Sequence, residues 1–165
     1  MKQLFLLLTL LTSTLSGLAQ VSQDSELYLK MQELDSLLFE AGFNNCKIEA
    51  FEPYISEDLE FYHDQSGLST SKEVFLKTVR QNICSNPAKK PIRKLNEESL
   101  EVFPLYENGK LYGAIQKGEH NFYIKEPQKE AYFTSAAKFT HVWLLEDEEW
   151  TLKRVLSYDH KTPEQ

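Results

Sequence analysis

Apolar and polar positions alternate with three different periods along this 165-residue chain. Lys2 precedes a continuous apolar run, Leu4-Phe5-Leu6-Leu7-Leu8-Thr9-Leu10-Leu11, followed by small residues up to Gly17-Leu18-Ala19. That order reads as a secretory signal peptide cleaved after Ala19, and the run is far short of the roughly 20 residues a membrane span needs. Leu27, Met31, Leu34, Leu38 and Ala41 then recur at helical spacing. Asp24 or Ser25 is placed to cap this helix and Gly42 to end it. A short helical segment from Lys47 to about Phe51 is expected to stop at Pro53. Leu59, Phe61 and His63 alternate with Glu60, Tyr62 and Asp64, the period of a half-buried strand running into a turn at Gly67. Thr70-Ser71-Lys72-Glu73 has the capping-box pattern, with Thr70 as cap, and opens a helix with Phe75, Val79 and Ile83 inward.

From Pro91 the period becomes two. Leu100 and Val102, Leu111 to Ile124, Tyr132 to Leu145 and Trp150 to His160 are strand-like runs rich in aromatic and β-branched residues. Asn108-Gly109 is a strong hairpin signal, because a type I′ turn needs positive φ at both central positions. Pro127 fits the second position of another turn, and Glu146-Asp147-Glu148-Glu149 makes a polar third. Helices first and an antiparallel meander afterwards define an α+β class, with the helices laid across one face of a curved sheet.

Composition narrows the partners. The chain has 18 basic and 25 acidic residues; Lys2 alone of these lies in the leader, so 17 stand against 25 afterwards, a net charge of −8. This argues against nucleic acid or an anionic membrane as partner. Residues 20–165 are expected to form a single domain, secreted or periplasmic, with no membrane anchor after signal removal. Cys46 and Cys84 are the two cysteines. Export to an oxidising compartment predicts a disulfide between them, the alternative being two buried thiols.

The order of elements resembles the cone-shaped nuclear transport factor 2-like superfamily, a cystatin-like fold that also contains the ketosteroid isomerases and polyketide cyclases. Within it, Phe61-Tyr62-His63-Asp64, Gly118-Glu119-His120-Asn121-Phe122 and the run from Trp150 to Tyr158-Asp159-His160 look like a secreted bacterial subgroup of unknown function. The resemblance implies a strongly curved, mostly antiparallel sheet that closes with the helices into a cone holding a pocket. It also implies dimerisation through the outer sheet face, where Tyr112, Ile115, Tyr123 and Phe133 could form an apolar patch for a homodimer.

All four histidines lie on expected strands or at their ends. Alternation puts His120 on one face with Ala114, Gln116, Gly118 and Phe122, and His141 with Phe139, Trp143 and Leu145. The small Ala114 and Gly118 would leave room beside His120. Three readings follow. The first is a pocket for a small, partly apolar molecule, contacted by His63, His120, His141, Tyr158, His160, Phe122 and Trp143, with Phe61 and Phe139 adding aromatic wall. The second is an isomerase, dehydratase or cyclase-like enzyme using a His-Asp pair as general base, with His63, Asp64, Asp159 and His160 as candidates. That reading lacks an identified electrophile. The third is a metal site from His63, His120 and His160 with Asp64 or Asp159, which no local ligand spacing supports. Neither a cofactor nor a resident metal is expected. Arg80, Arg93 and Arg154 are read as solvated side chains or surface ion pairs.

Overall fold

The computed structural model describes residues 20–163, so the expected leader lies outside the described residues. Helix α1 (Glu26–Asp35) continues into a π-helical stretch, Ser36–Asn44. Two 3-10 turns, Ile48–Ala50 and Glu52–Tyr54, lead to strand β1 (Ile55–His63) and the short β2 (Gly67–Thr70). Helix α2 (Lys72–Thr78) extends through Val79–Ile83, and the chain then enters β3 (Lys90–Glu107), β4 (Lys110–Lys125), β5 (Tyr132–Glu146) and β6 (Glu149–Lys161). The six strands form one sheet in the order β2-β1-β6-β5-β4-β3. Every pairing is antiparallel except β1 with β6. The expected α+β architecture is thus observed, with the meander supplying four strands and β1 closing against the last of them.

Local chemistry accounts for the boundaries. The Ser25 hydroxyl accepts the Tyr28 N–H and caps α1. At α2 the cap is Ser71 rather than Thr70: its hydroxyl accepts from the Val74 N–H. Gly42 does not end the first helix, which runs on to Asn44. A Cβ there would lie 2.1 Å from the Phe51 ring, so glycine is required for the close approach of that ring. Pro53 sits inside the second 3-10 turn instead of stopping the first. Asn108 (φ 51°) and Gly109 (φ 80°) both adopt the left-handed region that the β3–β4 hairpin demands.

The core lies between the helices and the concave face of the sheet, with Met31, Leu34, Phe51, Leu59, Phe139, Trp143 and Leu152 almost fully buried. Burying each such side chain stabilises the fold by about 1.5–3 kcal/mol. The inward face of α1 carries Tyr28, Met31, Leu34 and Asp35. It keeps Met31 and Leu34 of the expected stripe, with Leu38 buried beyond it and Leu27 packed against the core, and adds a carboxylate. Cys46 and Cys84 form a disulfide, with Cα atoms 5.8 Å apart, that ties the end of the first helical segment to the end of the second. On the outer face Tyr123 packs on Phe133, and Tyr112 and Phe133 are each 40% exposed.

Candidate functional site

A cavity of about 410 Å³ lies between the helices and the sheet, and all four histidines of the chain line it: His63, His120, His141 and His160. They come from four different strands, β1, β4, β5 and β6. Seven phenylalanines join them, with aliphatic side chains such as Val79 and Val155 and neutral polar ones such as Asn82 and Ser157. Phe61, Phe122 and Phe139 belong to the sheet; Phe39, Phe43, Phe51 and Phe75 come from the helical segments. Among the described residues, no aspartate, glutamate, lysine or arginine lines the cavity.

The two inner histidines are buried, His120 at 3% and His141 at 1% exposure. Each has its Nδ1 engaged and its Nε2 without a partner among the described residues. Arg93 Nε donates to His120 Nδ1 at 3.3 Å. A guanidinium only donates, so Nδ1 must accept, and the neutral ring carries its proton on Nε2. Arg93 is itself buried and makes two bonds to Asp35, at 2.6 and 2.9 Å. Its Cζ lies 3.9 Å over the Phe39 ring. Burial pushes the Asp35 carboxyl up, against the downward pull of Arg93.

His141 is set in the opposite sense. Gln116 Nε2 donates to the Met31 carbonyl at 3.0 Å, which fixes the amide with Oε1 toward β5. That oxygen accepts from Trp143 Nε1 at 2.9 Å and lies 3.1 Å from His141 Nδ1. His141 Nδ1 therefore donates, and Nε2 keeps its lone pair. Burial, then the Arg93 charge, holds both rings neutral: His120 falls to about 2 and His141 to about 3.

The outer pair differs. His160 Nδ1 meets Asp64 Oδ1 at 2.6 Å, and the His160 backbone N–H donates to Asp64 Oδ2 at 3.2 Å. With Nδ1 donating to the carboxylate, His160 Nε2 is an acceptor. His63 stacks on His160 with ring centroids 4.5 Å apart, and its Nδ1 accepts the Gln65 N–H at 3.1 Å, so its Nε2 donates. Burial, then the neighbouring His160, lowers the His63 pKa, with Asp64 acting the other way. For Asp64, burial raises the pKa but the His160 backbone and ring outweigh it, for a net lowering.

The carboxylate partner of His160 is thus Asp64 across the sheet and not its neighbour Asp159, whose side chain pairs with Lys138 at 2.9 Å and Lys161 at 3.2 Å. Asp159 has φ 58°, and Asp159 with His160 faces the single residue Ala137 of β5. This bulge reverses the alternation. Tyr158 and His160, which strict alternation puts on one face, are on opposite faces, and Tyr158 is 38% exposed with its hydroxyl 3.4 Å from Thr140. Trp143 is likewise not part of the cavity wall; it is 1% exposed and packed in the core. Ala114 and Gly118 share the His120 face but open no space. Ala114 is buried, and a Cβ on Gly118 would lie 3.0 Å from the Phe139 ring. Arg93 is no surface cation, whereas Arg80 pairs with Glu52 and Arg154 with Glu60 at partly exposed positions.

His63, Asp64 and His160 place ligand atoms within 4.8 Å of one another. Their geometry suits stacking better than chelation. The ring planes are 16° apart, so their in-plane lone pairs run side by side and do not converge on one ion. His120, the third imidazole of the expected metal set, is turned to Arg93.

Sequence reasoning placed Phe75 inward but did not single out Asp35 or the other helical phenylalanines, Phe39, Phe43 and Phe51. Asp35 lies four residues after Met31 and seven after Tyr28, on the same helix face, but its charge argues for solvent.

No family model matches the chain, and no curated protein matches it. Solved structures do. ActVI-ORFA from Streptomyces coelicolor superposes with a TM-score of 0.63 at 12% identity, covering 83% of this chain and 98% of that one. An NTF2-like protein of unknown function from Pseudomonas putida KT2440 gives 0.62 at 10% identity, covering 78% and 83%. A protein of unknown function with a cystatin-like fold from Nostoc punctiforme gives 0.58 at 13% identity, covering 81% and 91%. At these identities the likeness establishes the fold, cystatin-like and NTF2-like, and leaves function to the site.

Proposed function

We propose that this chain is an exported domain that binds a small, largely apolar molecule in its cavity. The observation that carries the reading is the convergence of all four histidines, from four strands, on one phenylalanine-walled space. Its volume of about 410 Å³ falls in the usual range for small-molecule sites. Export is supported by the leader pattern at Met1–Ala19 and by the Cys46–Cys84 disulfide. Native mass spectrometry of protein purified from its host tests the reading. The expected result is a retained small molecule that is lost in His141→Phe; an empty protein that also gains no thermal stability from a broad library of neutral aromatics would sink it.

A second reading, proton transfer at a carbon beside a carbonyl, is favoured by the Asp64–His160 pair. His160 Nε2 would take the proton as the C–H bond breaks, with Asp64 steadying the imidazolium. The electron pair would move onto the carbonyl oxygen, to which the Nε2–H of the neighbouring His63 would donate. This arrangement supplies the electrophile that the sequence alone does not identify. Exchange of ketone α-protons in deuterium oxide, followed by NMR, checks it: exchange should be catalysed by the wild type and abolished in His160→Ala.

A further inference from the structure

The outer end of the cavity holds a donor and an acceptor that water reaches. Among the described residues, the side-chain nitrogen and oxygen atoms both buried and unpartnered are His120 Nε2, His141 Nε2 and Thr151 Oγ1. His63 Nε2 and His160 Nε2 have no partner either and are not among them, so both are open to solvent, on side chains that line the cavity. His63 offers an N–H there, because its Nδ1 accepts from the Gln65 N–H. His160 offers a lone pair, because its Nδ1 donates to Asp64. The rings stack 4.5 Å apart with planes 16° from parallel, and both turn Nδ1 to the same Asp64 oxygen, at 3.5 and 2.6 Å. The N–H and the lone pair, each in its own ring plane, therefore run side by side. Aromatic wall leads inward from them. Phe61 is edge-on to His63 and to Phe75, and Phe75 is edge-on to Phe51, with centroids 5.6, 5.9 and 6.4 Å apart. Along this path exposure falls to 9% at Phe75 and 1% at Phe51.

A head group that matches this pair presents an acceptor and a donor pointing the same way. A single hydroxyl oxygen does not lie on two parallel lines. An ammonium has no lone pair for His63, and a carboxylate has no proton for His160. The carboxylate would also lose its water against a wall that has no lysine or arginine among the described residues. The edge of a primary carboxamide or of a lactam, with C=O beside a syn N–H, supplies both groups without charge. Resting on the reading of this cavity as a ligand site, we propose that it takes uncharged carboxamides or lactams with an apolar body. The carbonyl oxygen accepts from His63 Nε2–H, the amide N–H donates to His160 Nε2, and the body lies inward along Phe61, Phe75 and Phe51. Asp64 is a positioning residue that sets the sense of His160.

Fluorescence titration of the full chain at neutral pH with five naphthalene probes tests this. They are 2-naphthamide, N-methyl-2-naphthamide, methyl 2-naphthoate, naphthalene and the 2-naphthoate anion. The primary amide should bind about tenfold or more tightly than the ester, which cannot donate to His160, and than naphthalene, which has no head group. It should exceed the N-methylamide by a similar factor, because the trans amide bond turns that N–H away from the carbonyl. The anion should bind more weakly than the primary amide. Asp64→Asn gives a readout that a structural role would not move. The His160 backbone N–H, which donates to Asp64 Oδ2, holds the new amide oxygen at that position and turns its NH2 to His160 Nδ1. His160 Nε2 then becomes a donor, so the preference over the ester should collapse while the ester still outbinds naphthalene. His160→Phe should also erase the preference over the ester and serves if Asp64→Asn does not fold. The proposal is overturned if ester, N-methylamide or anion binds as tightly as the primary amide, if Asp64→Asn keeps the wild-type preference, or if no probe binds. Equal affinity for the neutral probes would leave the ligand-site reading standing, whereas a host-purified protein carrying no small molecule and stabilised by no library member would remove that reading itself.

Discussion

The cavity holds two histidine pairs, and the protein treats them differently. The inner pair, His120 and His141, is almost wholly buried, and each ring is pinned through one nitrogen to a polar group outside the cavity. The outer pair, His63 and His160, stacks ring on ring beside a part-exposed carboxylate, Asp64. In each pair one Nε2 carries a proton and the other a lone pair. Their supports contrast as well. A buried ion pair, Asp35 with Arg93, backs the inner end, while a disulfide joins the two helical segments that wall the cavity. Position in the dielectric decides what an imidazole can do: buried and facing a cation it stays neutral and serves to orient, whereas beside a part-exposed carboxylate its tautomer is set by that carboxylate.

The largest expected effect follows from breaking the inner support. Asp35→Ala leaves the Arg93 charge buried and unpaired and should cost about 3–5 kcal/mol, read as a lowered urea midpoint. Asp35→Leu/Arg93→Met should cost far less, because no charge is stranded. If the single and double variants lose the same stability, the ion pair is not what backs His120.

Next comes the covalent support. Cys84→Ser opens a link spanning 38 residues and should cost about 3–4 kcal/mol in the chain-entropy model, seen as a lower melting temperature. Ligand affinity measured well below that temperature should change little, since neither cysteine lines the cavity.

Acid sharpens the contrast between the pairs. The His120 and His141 pKa values are depressed from 6.5 to about 2 and about 3, so both rings are neutral when folded and protonated when unfolded across that interval. The unfolded state then binds more protons, and stability rises with pH there. It should be fully present above about pH 6.5 and fall below it, by up to about 1.4 kcal/mol per pH unit for each inner histidine. The lowered His63 acts in the same direction. Asp64 and Asp58, both lowered from 3.8, act only at more acid pH, whereas the raised Asp35 works against the histidine slope, so the difference between wild type and His141→Phe in urea midpoints from pH 7.5 to 5 isolates the histidine. His141→Phe should flatten this slope; an unchanged slope would place the proton uptake elsewhere.

At the outer end, Asp64→Asn removes a part-exposed partner of His160 and should change stability least of these variants, read as a urea midpoint close to that of the wild type. Any proton-transfer activity of His160 should drop far more than stability, which separates positioning from folding.

The fold was readable because its signals are local. Period-two runs mark β4, β5 and β6, and Asn108-Gly109 fixes a hairpin by its own backbone preference. The histidines of the site were readable as residue types for the same reason. Their partners were not. Asp64 reaches His160 over 96 residues and Asp35 reaches Arg93 over 58, and neither distance leaves a pattern in the chain. Adjacency misled at Asp159-His160, because one left-handed residue at a bulge turns the aspartate out to Lys138 and Lys161 and the histidine in. Asp35 was hidden by its charge, which argues for solvent until a buried guanidinium is known to face it.

The most direct test of the account is the long-range proton–nitrogen NMR spectrum of the protein with ¹⁵N-labelled histidine, assigned with single-histidine variants. At pH 7.5 His120 should show the Nε2–H tautomer and His141 the Nδ1–H tautomer, and neither signal should titrate as the pH is lowered to 5. Two inner histidines in the same tautomer, or either one titrating near 6.5 like a free imidazole, would contradict it.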